Sequence, residues 1–170
     1  MEKRDLYDEN RNLTGETLYK GEPIPLGKYI IVVLSIIQNS KGEFLIQKRS
    51  VQKDGKYAST GGHVKSGETS IQGIISEIKE EIGLDVEENE LELIYTDREV
   101  HEQVFFDVYY LKKDFDICDL ILQEDEVESV EWASWDRIKQ LLSDGLFAEN
   151  HAEEFFRMID IFKKQGRAIL

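Results

Sequence analysis

The sequence predicts an α+β fold, a mixed β-sheet held between helices as an α/β/α sandwich, and three observations carry that prediction. Residues 28–38, Lys-Tyr-Ile-Ile-Val-Val-Leu-Ser-Ile-Ile-Gln, form a β-branched run that suits a central strand. Isoleucines at 71, 74, 75, 78 and 82 recur at i, i+3, i+4, i+7 and i+11, which is one apolar stripe of a helix. Strand-like segments then follow at about 91–98, 104–112 and 127–133, ahead of two amphipathic helices.

Residues 1–27 are polar and turn-rich, and Leu13-Thr14-Gly15-Glu16 is expected to be a turn. Asn39-Ser40-Lys41-Gly42 is a turn signal, so Glu43 to Arg49 is expected to return as the hairpin partner of the central strand. A charged loop from Ser50 to Thr60 leads to Gly61-Gly62 and a second loop containing Ser66-Gly67. Gly83 stands just past the isoleucine helix, where a left-handed residue stops a helix. Ser134 is a natural cap for a helix through Leu142, and Phe155, Phe156, Ile159 and Phe162 mark another at about 150–165. A single domain over residues 1–170, closed by helices at about 134–165, is expected.

The bulk properties narrow the setting. A chain of 170 residues is long enough for one buried core. With 41% hydrophobic and 33% charged residues, it has the composition of a soluble globule and not of a disordered chain. No apolar stretch approaches the roughly 18 to 20 residues of a membrane span, and Tyr29–Ile37 is broken by Ser35. The opening residues Met1-Glu2-Lys3-Arg4-Asp5 lead into no apolar segment. Cys118 is the one cysteine, so no disulfide forms within the chain, and the cytoplasm is the expected compartment. A net charge of −14 argues against nonspecific nucleic-acid binding, which needs clustered Lys and Arg.

The chemistry lies on the second face of the isoleucine helix. Glu77, Glu80 and Glu81 stand at i, i+3 and i+4, so three carboxylates share one side and repel. A divalent cation would turn that repulsion into chelation, since Mg²⁺ favours carboxylate and water oxygens. The bland alternative is a solvated acidic face. Glu68, ahead of the helix, can hydrogen-bond to its own loop or to a ligand's water.

The wider spacing decides between them. Gly62, Glu68 and the run Ser76-Glu77-Ile78-Lys79-Glu80-Glu81-Ile82-Gly83-Leu84 resemble the Nudix box, G-x5-E-x7-R-E-U-x-E-E-x-G-U with U aliphatic, at every defined position but Ser76. Chance produces such a match on the order of once in 10⁷ starting points or fewer. The resemblance implies a Nudix fold with the box, residues 62–84, as loop–helix–loop, and a hydrolase of phosphoanhydride bonds in small-molecule substrates of the nucleoside-diphosphate-X type. It implies Mg²⁺ or Mn²⁺ held by Glu77, Glu80, Glu81 and the Gly62 carbonyl, with Glu77 or Glu80 also able to deprotonate water. The family's further acid from a later loop corresponds best to Glu126, with Glu99 and Glu102 as weaker candidates. Lys48 and Arg49 are candidate phosphate clamps. Ser76 replaces the arginine that orients the glutamates, and Lys65 and Lys79 are the nearby cations able to compensate.

Outside the box, Asp5–Asn10, Gln47–Ser50 and Gly61-Gly62-His63-Val64 resemble the subgroup related to isopentenyl-diphosphate isomerase. In those isomerases the histidine binds metal, so His63 is either a ligand or a residue that touches substrate. The isomerases also need Cys-x-His before the box and Glu-x-Glu-Val on a later strand. Here the matching residues are Gly61-Gly62-His63 and His101-Glu102-Gln103-Val104, which removes the groups that protonate carbon. A nucleotide-sensing protein that has lost turnover is the third reading, motivated by Ser76. Phe105, Phe106 and Phe147 either line a homodimer interface or join the core.

Overall fold

The structure, a computed structural model, describes residues 1–169. Its strands are β1 (Lys3–Tyr7), β2 (Leu13–Tyr19), β3 (Ile30–Gln38), β4 (Phe44–Arg49), β5 (Tyr57–Ala58), β6 (Thr60–His63), β7 (Leu91–Glu99), β8 (Val104–Lys112) and β9 (Val127–Ala133). Its helices are α1 (Ser70–Ile82), α2 (Trp135–Ser143) and α3 (Glu149–Lys164). The mixed sheet runs β5-β4-β3-β8-β7, with β6 paired to β3 and β9 to β4. β3 lies parallel to β8 from Ile30↔Val104 to Gln38↔Lys112 and antiparallel to β6 from Val32↔His63 to Ser35↔Thr60.

Alternation along β3 divides the core in two. Ile31, Val33 and Ile37 face α1 and pack with Ile74, Ile78 and Ile82, all three fully buried. Leu34 and Ile36 face the other way, under Phe155, Met158 and Phe162 of α3. Both faces being covered explains why β3 reads as a continuous apolar run. Edge-on rings lock α3 down: Phe44 meets Phe155 at 5.3 Å and Tyr110 meets Phe162 at 5.1 Å. The α/β/α sandwich expected from the sequence is the fold observed.

α1 starts on a capping box, in which Thr69 accepts from the Gln72 amide and the Gln72 side chain accepts from the Thr69 amide. It stops at Gly83, which sits at φ 70° and sends its N–H to the Lys79 carbonyl. A Cβ there would stand 2.9 Å from the Ile121 Cβ. Gly83→Ala is therefore expected to cost about 1–2 kcal/mol from the left-handed backbone alone, read as a lower urea midpoint; an unchanged midpoint would refute the capping account.

One expectation is corrected, and one open alternative is decided. Leu13–Glu16 is not a turn but the start of β2, antiparallel to β1. The turn is tighter and earlier: Asp8 accepts from the amides of Asn10 and Asn12, both at 2.9 Å, and Arg11 takes a left-handed φ of 64°. The three phenylalanines are interior: Phe105 and Phe147 are buried, and Phe106 lies on the floor of a cavity. None offers an exposed dimer surface.

The β1–β2 hairpin is tied to the sheet by one buried ion pair. The Arg11 guanidinium meets both oxygens of Asp107, with Nη1 at 2.8 Å from Oδ1, and Asp107 is 1% exposed. Ser70, at the first turn of α1, donates to the same carboxylate and lies 2.8 Å from the Tyr109 hydroxyl.

Candidate active site

A cavity of about 740 Å³ opens on the α3 side of the sheet. Cross-strand register aligns His63, Val32, Phe106 and Asp97 in one row, and all four line the cavity. One wall comes from α1 and the loops around β4, with Glu77, Glu80, Glu81, Arg49, Lys53 and Glu126. The opposite wall comes from the N-terminal half of α3, with His151, Glu154 and Arg157.

α1 packs on the other face of the sheet, so its carboxylates need an opening to reach this cavity. β6 supplies it. A Cβ on Gly62 would overlap the Glu77 carboxylate, and one on Gly61 would run into the Val33 carbonyl oxygen and sit 2.9 Å from the Leu34 Cα. The bare Gly62 thus gives the Glu77 carboxylate its room, and the bare Gly61 lets β6 lie close against β3.

Glu81 is 8% exposed and held from two sides. Gln47 Nε2 donates to it at 3.0 Å, the Gly61 amide donates as well, and Thr60 Oγ1 fixes Gln47 by donating to its Oε1 at 3.0 Å. Burial pushes the Glu81 carboxyl up to about 7, against the lowering pull of the Gln47 and Gly61 hydrogen bonds and with Glu126 nearby raising it further. Burial also pushes Glu77 up to about 8, with Glu81 and Glu80 adding like-charge repulsion. Two neighbouring carboxyls, Glu81 buried and Glu77 half-buried, that resist ionisation mark a place suited to a cation. Burial, helped by the positive charge of Arg4, drives the His63 imidazole down to about 4, so it is neutral and able to accept or ligate.

Residues 28–155 match the NUDIX domain family. The chain belongs to that family. An uncharacterized Nudix hydrolase of Listeria innocua is 37% identical over 152 residues, covering 86% of this chain and 88% of the relative. A Deinococcus radiodurans protein, DR0079, shares the fold with a TM-score of 0.74 at 22% identity, over 92% of this chain and 98% of its own. The NUDIX domain of Shewanella oneidensis NrtR, solved with ADP-ribose, has a TM-score of 0.60 at 14% identity, over 81% of this chain and 88% of its own. Family membership makes the chain a Nudix hydrolase, with a reaction of the phosphoanhydride type.

Not every predicted residue of the Nudix site gathers at the cavity. Gly62, Glu77, Glu81, His63, Arg49 and Glu126 do. Glu80 stands at the rim with its side chain 49% exposed and pairs with Lys65. Lys48 does not join them: successive strand residues alternate faces, so it points opposite to Gln47 and Arg49, and Nζ pairs with Glu128 at 2.9 Å. Arg49 is engaged by Asp54, and Glu126 is paired with Lys53 at 2.5 Å. The Glu126 loop is pinned to the end of β4, since Ser50 donates its amide to Glu126 O at 2.9 Å and its hydroxyl to Asp125 O at 2.7 Å. Among the described residues no three His, Cys, Asp or Glu side chains converge into a finished metal cage.

Glu68 lies outside the cavity and serves the box from behind. Ser76, in the arginine position, donates its hydroxyl to Glu68 at 2.7 Å, and the Lys65 amide adds a longer bond at 3.3 Å. The tether between helix and loop therefore survives the substitution in a shorter, uncharged form. Of the two lysines, Lys65 pairs with one of the box glutamates, Glu80, and so supplies a cation there, whereas Lys79 turns to Asp85. Ser76→Ala is expected to lower kcat/KM about 10-fold, as loosening the support of a metal site does; steady-state kinetics at saturating Mg²⁺ with unchanged rates would show the tether to be idle.

Sequence reasoning missed Gln47, Lys53, His151, Glu154 and Arg157. Gln47 carried a signal, being a polar residue directly after the apolar run Phe44-Leu45-Ile46 of a strand. The α3 residues carried none, because only the chain's return across the sheet brings them to the cavity.

Proposed function

We propose that the chain is a divalent-metal-dependent pyrophosphohydrolase that cleaves a nucleoside-diphosphate-linked substrate by attack of water on phosphorus. The pairing of the half-buried Glu77 with the buried Glu81 at the glycine window carries this reading. Oxygen donors suit Mg²⁺ or Mn²⁺, and Mg²⁺ commonly takes one or two carboxylates with waters and substrate phosphates, so a three-carboxylate cage is not required. Glu77 and Glu81 would hold the ion, with the Gly62 carbonyl beside them and Glu80 joining when Lys65 releases it. Such an ion neutralises phosphate charge and makes water a better nucleophile.

The chain's own residues do the rest. Arg49 and Lys53, next to the acids, receive phosphate oxygens in exchange for Asp54 and Glu126. Glu126, released from Lys53, takes the proton of the attacking water, and Glu77 is the other candidate base. His63 and the floor of the cavity orient the substrate. We place the reaction in the cytoplasm on the strength of the lone Cys118.

The likeness to the isomerase-related subgroup is, on this reading, one of scaffold. Position 61, where an isomerase carries cysteine, has no room for a side chain, and Cys118 is exposed in the 3₁₀ turn Ile117–Asp119. The test is a phosphate-release screen with Mg²⁺, Mn²⁺ or EDTA over nucleoside diphosphates, sugar nucleotides and ADP-ribose. Turnover that needs metal and vanishes in Glu81→Gln is expected. Metal-independent turnover, or full activity in the variant, would discard the proposal.

A further inference from the structure

The wall facing the carboxylates holds a buried group that nothing in the reaction uses. Glu154 lines the cavity and is 6% exposed, yet its Oε2 has no hydrogen-bond partner. A buried polar oxygen left unsatisfied costs about 1–3 kcal/mol, so its retention asks for a reason. The adjacent cation does not relieve it. Arg157 donates to Asp97 at 2.6 Å and lies flat on the Tyr95 ring, with its Cζ 4.0 Å from the centroid. The guanidinium nearest in the helix is thus already committed elsewhere. The terminal carboxyl torsion is soft, so either oxygen turns toward the cavity with no backbone motion.

We infer that Glu154 is a specificity-determining residue, accepting a hydrogen bond from a hydroxyl-bearing, sugar-like part of the substrate at the α3 wall while the phosphates lie at Glu77 and Glu81. This rests on the pyrophosphohydrolase reading for the reaction, but the binding it describes stands apart from turnover. The chemistry of the wall selects the ligand class. An anion would meet Glu154 and Asp97, and a cation would meet Arg157. Tyr95 gives a nucleobase no ring to stack on at this wall, since Arg157 covers it. A hydroxyl suits the site in either protonation state, because it donates to a carboxylate and accepts from a carboxylic acid. That versatility matters because burial pushes the Glu154 carboxyl up to about 7.

Product-like probes test this without catalysis: calorimetric titration of ribose 5-phosphate and of inorganic phosphate into the full chain with Mg²⁺. Wild type is expected to bind ribose 5-phosphate about tenfold more tightly than phosphate, the size of one good hydrogen bond. Glu154→Ala should bring that ratio to about one with phosphate affinity unchanged, and Glu154→Gln should keep most of it. Glu154→Ala should fold with equal or higher Tm, since an unsatisfied buried group is removed, and Glu154→Gln should melt close to wild type. The inference is overturned if wild type does not discriminate, if Glu154→Ala keeps the ratio, or if both affinities fall together. A silent hydrolysis screen with the ratio intact would remove the hydrolase reading and leave this subsite. Turnover with no discrimination would do the reverse.

Discussion

Glu77→Gln is expected to move activity and stability in opposite directions. Losing a metal-holding carboxylate, and a candidate base, should cut kcat about 10²- to 10⁴-fold at saturating Mg²⁺. The same change should raise the melting temperature of the metal-free protein, because Glu77 lies half-buried beside the buried Glu81 with no hydrogen bond of its own to offset the charge. The sign follows from the direction of the shift. Burial and the neighbouring acids raise the folded-state carboxyl from its ordinary 4.5 to about 8. The native state therefore binds this proton more tightly than the unfolded chain, and stability falls as pH climbs from about 5 through 8. In EDTA the wild-type melting temperature should decline over that range, and the glutamine variant should decline less. Each kcal/mol relieved is worth roughly 2–4 °C for a chain of this size. Mg²⁺ should erase the difference by supplying the missing positive charge. A variant that melts below wild type at pH 8 without metal would contradict the electrostatic account of this site.

The second large effect belongs to the Arg11–Asp107 pair. Asp107→Leu alone leaves the Arg11 guanidinium half-buried without its anion and strips Ser70 of its acceptor. Breaking a buried pair from one side costs about 3–5 kcal/mol, a fall in Tm on the order of 10 °C. Arg11→Met should cost at least as much, since it strands the more deeply buried charge. The double variant should recover a good part of the loss, because two apolar side chains replace two charges that no longer need partners. Thermal melts of all four proteins close the cycle, and simple additivity would mean that the two residues do not act as a pair.

How much was legible follows the range of the physics involved. α1, β3, β4, β7, β8 and β9 each carry a local signal (an apolar stripe, a β-branched run or a flanking turn), which located them to within a residue or two. The box was legible because its ligands share one helix and the loop before it. The β1–β2 hairpin hid because a two-stranded ribbon exposes most of its residues: in β2 only Leu18 is buried, which leaves no alternation to detect. Lys48 was misassigned because adjacency in a strand means opposite faces, and the tether of Ser76 to Glu68 was invisible because a hydroxyl in place of an arginine reads as a loss. Asp107 and Arg11 are 96 positions apart, and Arg157 of the α3 wall stands 60 positions from its partner Asp97. No local rule connects them.

The family match begins at Lys28, but the physical unit begins earlier. A protein cut at that point would lose Arg11 and with it the only cation paired to Asp107 among the described residues, stranding a negative charge between β8 and the start of α1. It would also lose Glu2 and Lys20 from the cavity rim. Domain boundaries drawn from sequence similarity would here run through an electrostatic bond, so a fragment chosen by homology would be less stable than the chain from which it came.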